Sequence, residues 1–222
     1  MSLPAVALFA RAPVAGQVKT RLIPALGAQA ACEVHRALVL DAWDAVQGLR
    51  PGCEIFLYSD QDHPEWRQLA GAGLRFQRGR DLGERMVHCF QEMAAAGHTP
   101  LLIVGSDTVG LSSHILSPWT RCLRDAAALL GPAEDGGYWA IGCRQPHPNM
   151  LEGVEWSSKR TLEATGEALA RCGMPPAFLE TLWDLDQPED LDRLADMGGP
   201  VGRRLRTWMD QTARRNSRKR RA

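Results

Sequence analysis

The sequence predicts an α/β protein built on a mostly parallel sheet, and two observations carry that prediction. Short apolar runs alternate with longer amphipathic stretches, as β-α-β units require. The chain of 222 residues, 45% hydrophobic and 23% charged, is long enough to bury a core of ordinary size.

The strands follow in order: "AVALFA" at 5–10, "EIFLYS" at 54–59, "LRFQ" at 74–77, "PLLIVGS" at 100–106, "AAALLG" at 126–131, "YWAIGC" at 138–143 and "FLETLWDL" at 178–185. A first helix is read from Leu26, Ala30, Val34, Leu38, Ala42 and Ala45, which share one face. A second begins at Asp81 with Leu82, Met86, Phe90 and Met93 as its apolar stripe, and a third follows Ser112 and Ser113. A fourth runs from about Ser157 or Ser158 to Gly173, and a fifth follows "DQPED". The last, set off by "GGP" at 198–200, carries Val201, Leu205, Trp208 and Met209 on one face. One domain is expected over residues 1–212, then a basic, disordered tail over 213–222.

Charge and cysteine usage exclude several classes. Lys plus Arg and Asp plus Glu both number 26, so no overall field draws the chain to nucleic acid or to a membrane. The apolar run in "MSLPAVALFARAP" is too short to span a bilayer and lacks a basic flank, which predicts a cytoplasmic protein. Six cysteines without a C-x-x-C pair read as reduced, buried thiols, and six histidines without metal spacing read as packing or surface residues.

Ligands of open α/β sheets bind beyond the carboxyl ends of the strands, so residues just after each strand come first. After the first strand, "RAPVAGQVKTRL" offers Gly16, Lys19 and Arg21 as a place for phosphate oxygens, though cations near a helix start are as often only solvated. Asp107, at the end of the fourth strand, can hold a hard divalent cation or simply open a turn. Asp184 and Asp186 are two apart and point to one side in extended chain. Asp186 and Glu189 fit a capping box, which leaves Asp184 as the better ligand on spacing. Asp81 and Glu84 fit another, and Gly83 in a first helical turn implies close approach, a bound base or ribose being one partner. "GPAEDGGYWAIG" sets Glu134 and Asp135 before paired glycines, good hairpin chemistry or a ligand turn.

Together, "LFARAPVAGQVKTRL", "RDLGERM", "GSDTVGL", "GPAEDGGYWAIG", "EWSS" and "DLDQPEDL" resemble the small bacterial GT-A-type glycosyltransferase-like proteins, the arsenosugar-biosynthesis or nucleotide-diphospho-sugar transferase-like family. The resemblance spans Val6 to Leu191, and the order of the motifs makes it specific. More distantly, the Lys19 and Arg21 loop and the "DLDQPEDL" ending are similar to molybdenum-cofactor and phospholactate guanylyltransferases.

The resemblance implies a three-layer α/β/α sandwich of GT-A type, with a nucleotide over Arg11, Gly16, Lys19, Arg21, Gly83, Glu84 and Arg85. It implies Mg2+ or Mn2+ on Asp107, with Asp184 and Asp186 near it, and a sugar or acceptor against Glu134, Asp135, Gly136, Gly137, Tyr138 and Trp156. Asp107 and Asp135 are the expected catalytic carboxylates. The "T-D-C-P" type motif of the family reads Ser106, Asp107, Thr108, Val109 here, so the aspartate stays and its neighbours differ. The expected function is metal-dependent glycosyl transfer from a nucleoside diphosphate sugar to a small-molecule acceptor. Nucleotidyl transfer with pyrophosphate release is the alternative, and a non-catalytic nucleotide-binding protein is a third.

Overall fold

The computed structural model describes residues 2–197 and 201–219, so the "GGP" break lies outside the described residues. Strands β1 (Ala5–Ala10), β2 (Glu54–Ser59), β3 (Leu74–Phe76), β4 (Leu101–Gly105), β5 (Ala128–Pro132), β6 (Tyr138–Cys143) and β7 (Pro176–Phe178) form a seven-stranded sheet in the order β3-β2-β1-β4-β6-β5-β7. β6 runs antiparallel to β4 and β5, while the other pairings are parallel. The helices are α1 (Ile23–Leu26), α2 (Ala28–Gln47), α3 (Pro64–Ala70), α4 (Leu82–Ala95), α5 (Ser113–Leu116), α6 (Trp119–Asp125), α7 (Thr161–Arg171), α8 (Pro188–Asp196) and α9 (Arg203–Lys219).

β1 shows why its run is continuously apolar: the sheet is covered on both sides. Val6, Leu8 and Ala10 pack with Val39, Ala42, Trp43 and Val46 of α2, Trp66 of α3 and Trp119 of α6. Ala5, Ala7 and Phe9 pack on the other face with Met86, Cys89, Phe90 and Met93 of α4 and Leu169 of α7. The result is the three-layer α/β/α sandwich, each fully buried Leu or Phe contributing about 1.5–3 kcal/mol. A third cluster, with Leu22, Val34, Leu38, Trp183, Leu185, Leu194 and Leu205, ties α2 to α8, α9 and the segment after β7. The free cysteines are buried or half-buried, in keeping with reduced thiols. Among the described residues no helix is long and apolar enough to cross a membrane.

Register then positions the site. Phe9 lies opposite Gly105 and Ala10 opposite Ser59, so the chain leaves β1, β2 and β4 at one edge of the sheet. Because β6 is antiparallel, Tyr138 and the turn before it arrive at that same edge, and the Asp-Gly-Gly stretch is the hairpin joining β5 to β6.

Several expectations need correction. The strand expected over 178–185 pairs regularly only as Pro176–Phe178; beyond it the chain makes isolated bridges, Leu182 to Ala133 and Asp184 to Thr108. That segment must leave β5 to reach β4, so it cannot stay in one ladder. The helix α3 went unread because it is short, starting at Pro64 after the His63 cap. Leu26 belongs to α1, which Gly27 at φ 81° separates from α2. The third helix is two short ones, α5 and α6, parted at Ser117 and Pro118. The tail read from sequence as disordered over 213–222 is helical through Lys219 as the end of α9, and residues 220–222 lie outside the described residues. Leu205 packs in the third cluster, and Asp41 of α2 accepts from the N–H groups of Arg204 at 2.9 Å and Leu205 at 3.0 Å, capping α9 from outside.

Candidate functional site

Two short segments build the floor of the site. Leu185 N–H donates to the Asp107 carbonyl at 3.0 Å and Val109 N–H donates to the Trp183 carbonyl at 3.1 Å. This antiparallel bridge carries Asp184 and Asp186 to the end of β4, beside Asp107. Thr108 donates its hydroxyl to Asp184 Oδ1 at 2.8 Å.

Lys19 closes the cluster from above. Its Nζ lies 2.6 Å from Asp107 Oδ1 and 2.6 Å from Asp186 Oδ1, with the lysine side chain 4% exposed against 46% and 38% for the aspartates. Lys19 adopts a left-handed backbone, φ 46° and ψ 43°, which a residue with a Cβ keeps only where its surroundings hold it. Sequence read Lys19 as a loop cation on the surface; it is instead an inward-pointing counter-ion. Burial opposes its charge, but Asp107 and Asp186 more than offset that and raise its pKa. Burial also opposes the Asp107 charge, and Lys19, then His35 and Arg11, bring its pKa down below the usual value. Lys19 makes its contacts with Asp107 and Asp186 and acts on Asp184 more weakly. Burial, with Asp107 adding to it, pushes Asp184 up to about 7.

The loop leading to Lys19 is anchored by residues that sequence reading did not assign to the site. Asp60, just after β2, accepts from Ala12 N–H at 2.7 Å and from the Arg11 Nε at 3.4 Å. Buried His35 donates from Nε2 to the Arg11 carbonyl at 2.9 Å, and Trp66 Nε1 donates to the same oxygen at 3.1 Å. Asp60 could have been found by the rule that singled out Asp107, a carboxylate directly after a strand. His35 and Trp66 carried no such signal. Gly16 sits at φ 85° with open space around it, and Gly16 and Arg21 are exposed.

Other predicted residues serve the protein's own packing. Gly83 faces Trp156: a Cβ there would lie 2.6 Å from Trp156 Cζ2, so the close partner is an indole of this chain. Asp81 caps α4 as expected, its carboxylate accepting from Glu84 N–H at 2.8 Å. Glu84 turns outward to the Arg80 N–H and Nε, both at 2.8 Å, which pulls its pKa down to about 2. Arg85 Nε donates to the Gly79 carbonyl at 3.2 Å. The box at α8 is one residue later than read: Gln187 is the N-cap, and Asp190 Oδ2 accepts from the Asp186 and Gln187 N–H groups at 2.8 and 2.6 Å. Asp186 is thereby freed from capping.

At the hairpin, Asp135 Oδ1 accepts from Gly137 N–H at 2.8 Å and the residue is exposed. Gly136, at φ 91°, is approached by backbone: a Cβ would lie 2.1 Å from the Lys159 carbonyl. Leu162 N–H donates to the Gly136 carbonyl at 2.9 Å, so the loop before α7 lies over the turn. Glu134 forms a two-point pair with Arg193 at 2.6 and 2.9 Å, and that guanidinium stacks on Trp183 at 4.3 Å. Tyr138 reaches Met86 Sδ at 3.9 Å. The hairpin is therefore fixed by self-contacts, with Asp135 left facing out.

Among the described residues, no group of three or more His, Cys, Asp or Glu side chains is arranged to hold a metal ion by itself. Asp107 and Asp186 are hard oxygen donors with exposed surface. That set fits Mg2+ or Mn2+ completed by phosphate oxygens, since such ions commonly take only one or two protein carboxylates.

A sheet in this order, with acidic residues gathered past the end of β4 and a cation on the loop after β1, gives the chain a GT-A-like architecture. The chain matches, over residues 44–158, the model of the family described as "Uncharacterized protein conserved in bacteria (DUF2064)", and it belongs to that family. A Desulfovibrio desulfuricans G20 crystal structure with the provisional name nucleotide-diphospho-sugar transferase is similar at 25% identity and TM-score 0.83, covering 96% of each chain. CMP:2-keto-3-deoxy-manno-octonic acid synthetase, complexed with CTP, matches at 10% identity and TM-score 0.53 over 87% of this chain and 97% of its own. A Bacillus anthracis structure provisionally named glucose-1-phosphate thymidylyltransferase matches at 11% identity and TM-score 0.50, over 91% and 98%. The latter two likenesses speak to fold alone. No curated protein matches the chain.

Proposed function

We propose that the protein is a metal-dependent glycosyltransferase taking a nucleoside diphosphate sugar as donor and a small molecule as acceptor. The observation that carries the reading is the meeting of Asp107, Asp186 and Lys19 at the carboxyl edge of the sheet, two carboxylates and one ammonium within 2.6 Å contacts. In this reading Asp107 and Asp186 hold Mg2+ or Mn2+, and Lys19 and Arg21 meet the phosphates. A divalent ion bound there would supply positive charge to the leaving diphosphate.

Asp135, exposed at the hairpin, orients a sugar hydroxyl or accepts the acceptor's proton. Tyr138 and Trp156 pack inward on Met86 and Gly83 and, in this reading, present only their remaining exposed edges to the sugar side. Asp184 stands behind the ligand pair, held by Thr108.

Nucleotidyl transfer from a nucleoside triphosphate is the second reading, favoured by one observation: Asp135 Oδ1 is already engaged by Gly137 N–H. A carboxylate oxygen that already accepts from its own turn is less free to receive the acceptor's proton, and attack by a phosphate acceptor needs no such base. Thermal-shift measurements with uridine, guanosine, adenosine and cytidine diphosphates, diphosphosugars and triphosphates, each with Mg2+ and Mn2+, separate the two. Glycosyl transfer predicts the largest shift with a diphosphosugar. A triphosphate preference with pyrophosphate release would replace it with the second reading.

A further inference from the structure

The cation of the site lies inside and the anions lie outside. The Lys19 side chain is 4% exposed, whereas Asp107 and Asp186 keep 46% and 38% of theirs in contact with solvent. Its Nζ touches one oxygen of each, at 2.6 Å, and so occupies the space between the two carboxylates. The left-handed backbone at Lys19 turns the side chain inward from a loop whose other polar residues, Gln17, Thr20 and Arg21, are exposed. A lysine meant only to collect phosphate from solution would not need that conformation.

We propose that Lys19 is a built-in counter-ion of the Asp107 and Asp186 pair, which keeps the nucleotide-free protein from binding a bare divalent cation and moves onto phosphate oxygens when a metal–nucleotide complex arrives. The inference rests on reading the two aspartates as metal ligands. A free Mn2+ approaching them meets an ammonium already in contact with both. To bind, it must share the carboxylates with that positive charge or pull the lysine off both of its 2.6 Å contacts. A nucleoside diphosphate changes the balance, because its oxygens accept the hydrogen bonds that Lys19 gives up while also ligating the metal. The site would thus select the metal–nucleotide complex over the metal alone.

The test is Mn2+ binding, followed by the paramagnetic resonance signal of free Mn2+, to the full chain without nucleotide. Lys19→Met should bind Mn2+ about tenfold tighter than the wild type or better, while Lys19→Arg, which keeps the charge, stays near wild type. Adding Asp107→Asn to Lys19→Met should abolish the gain. Circular dichroism checks that the variants fold, and the wild type decides by itself if Lys19→Met does not. Its Mn2+ affinity should be weak alone and rise about tenfold with a nucleoside diphosphate, beyond what the diphosphate binds in solution. Equal affinity in the wild type and Lys19→Met overturns the counter-ion role and leaves the metal site standing. So does tight Mn2+ binding to the nucleotide-free wild type that Asp107→Asn removes. No Mn2+ bound by any form, with or without diphosphate, overturns both.

Discussion

Leu185 N–H donates to the Asp107 carbonyl at 3.0 Å, joining residues far apart in the chain and setting three aspartates at the end of one strand. Asp184 is the member of that group that Thr108 holds, and its environment makes the site sensitive to pH. Its pKa stands at about 7 in the fold against 3.8 as the ordinary value, raised first by burial and then by Asp107. The folded protein therefore holds this proton more tightly than the unfolded chain, and the group's contribution to stability falls as pH rises from about 4 to 7. His35 acts in the opposite sense: burial lowers its pKa from 6.5, so its contribution is full above that value and lost as pH falls below it. Asp184→Asn, which can still accept from Thr108, should raise the melting temperature of the ligand-free protein at pH 8 by about 2–8 °C and change it little at pH 4. Thermal denaturation across that range checks this, and the same increment at both ends would mean Asp184 is not the titrating group.

Gly136 and Gly16 should part company under the same substitution. Both have positive φ, 91° and 85°, but only Gly136 has backbone in the path of a Cβ, at 2.1 Å. Gly16→Ala should cost about 1–2 kcal/mol from backbone strain alone. Gly136→Ala should cost about 2–4 kcal/mol, strain plus the displacement of Lys159. Urea denaturation of the two variants gives the comparison, and equal costs would mean that the loop over the hairpin yields freely.

Much of this architecture was legible in the sequence, and the reasons differ by residue. β1, β4, β5 and β6 were readable because apolar runs covered on both faces leave few other outcomes. Asp107 and the Asp135 hairpin were readable because carboxylates and glycines stand directly at strand ends. The segment after β7 was not, since Leu182 and Asp184 look like strand residues and only tertiary bridges to Ala133 and Thr108 fix them. Lys19 was placed in the right loop and given the wrong exposure, because an inward turn at φ 46° leaves no mark in the residue types. Gly83 and Gly136 signalled close approach correctly, but the partners are Trp156 and Lys159 of the chain itself.

Glu134 should prove dispensable for ligand binding. Its carboxylate is held by Arg193, and both side chains are about half exposed, at 49% and 45%. Exposed pairs of this kind contribute about 0–1 kcal/mol. Glu134→Gln should leave nucleotide affinity unchanged within a factor of about two and stability within about 1 kcal/mol. A large loss of affinity measured by calorimetry would return Glu134 to the ligand's side of the hairpin.

Trp66 should matter to the ligand through Arg11, one of the expected nucleotide residues, whose carbonyl it holds. Its indole N–H and His35 together hold the Arg11 carbonyl, at 3.1 and 2.9 Å, and so fix the loop that delivers Lys19. Trp66→Phe keeps most of the buried ring and removes the donor, at a cost of about 0.5–1.5 kcal/mol in stability. Nucleotide affinity should fall as well, by about threefold to tenfold, because the loop loses one of its three anchors. Lost stability with unchanged affinity would show that His35 and Asp60 suffice to place it.

Calorimetric titration of a nucleoside diphosphate with and without Mn2+ decides whether Asp107 binds a divalent ion together with the diphosphate. The wild type should bind at least about tenfold more tightly with Mn2+, and Asp107→Asn, similar in size and without the charge, should lose that gain while its metal-free circular dichroism is unchanged. A wild type indifferent to Mn2+, or an Asp107→Asn variant that keeps the full metal-dependent gain, would contradict the account.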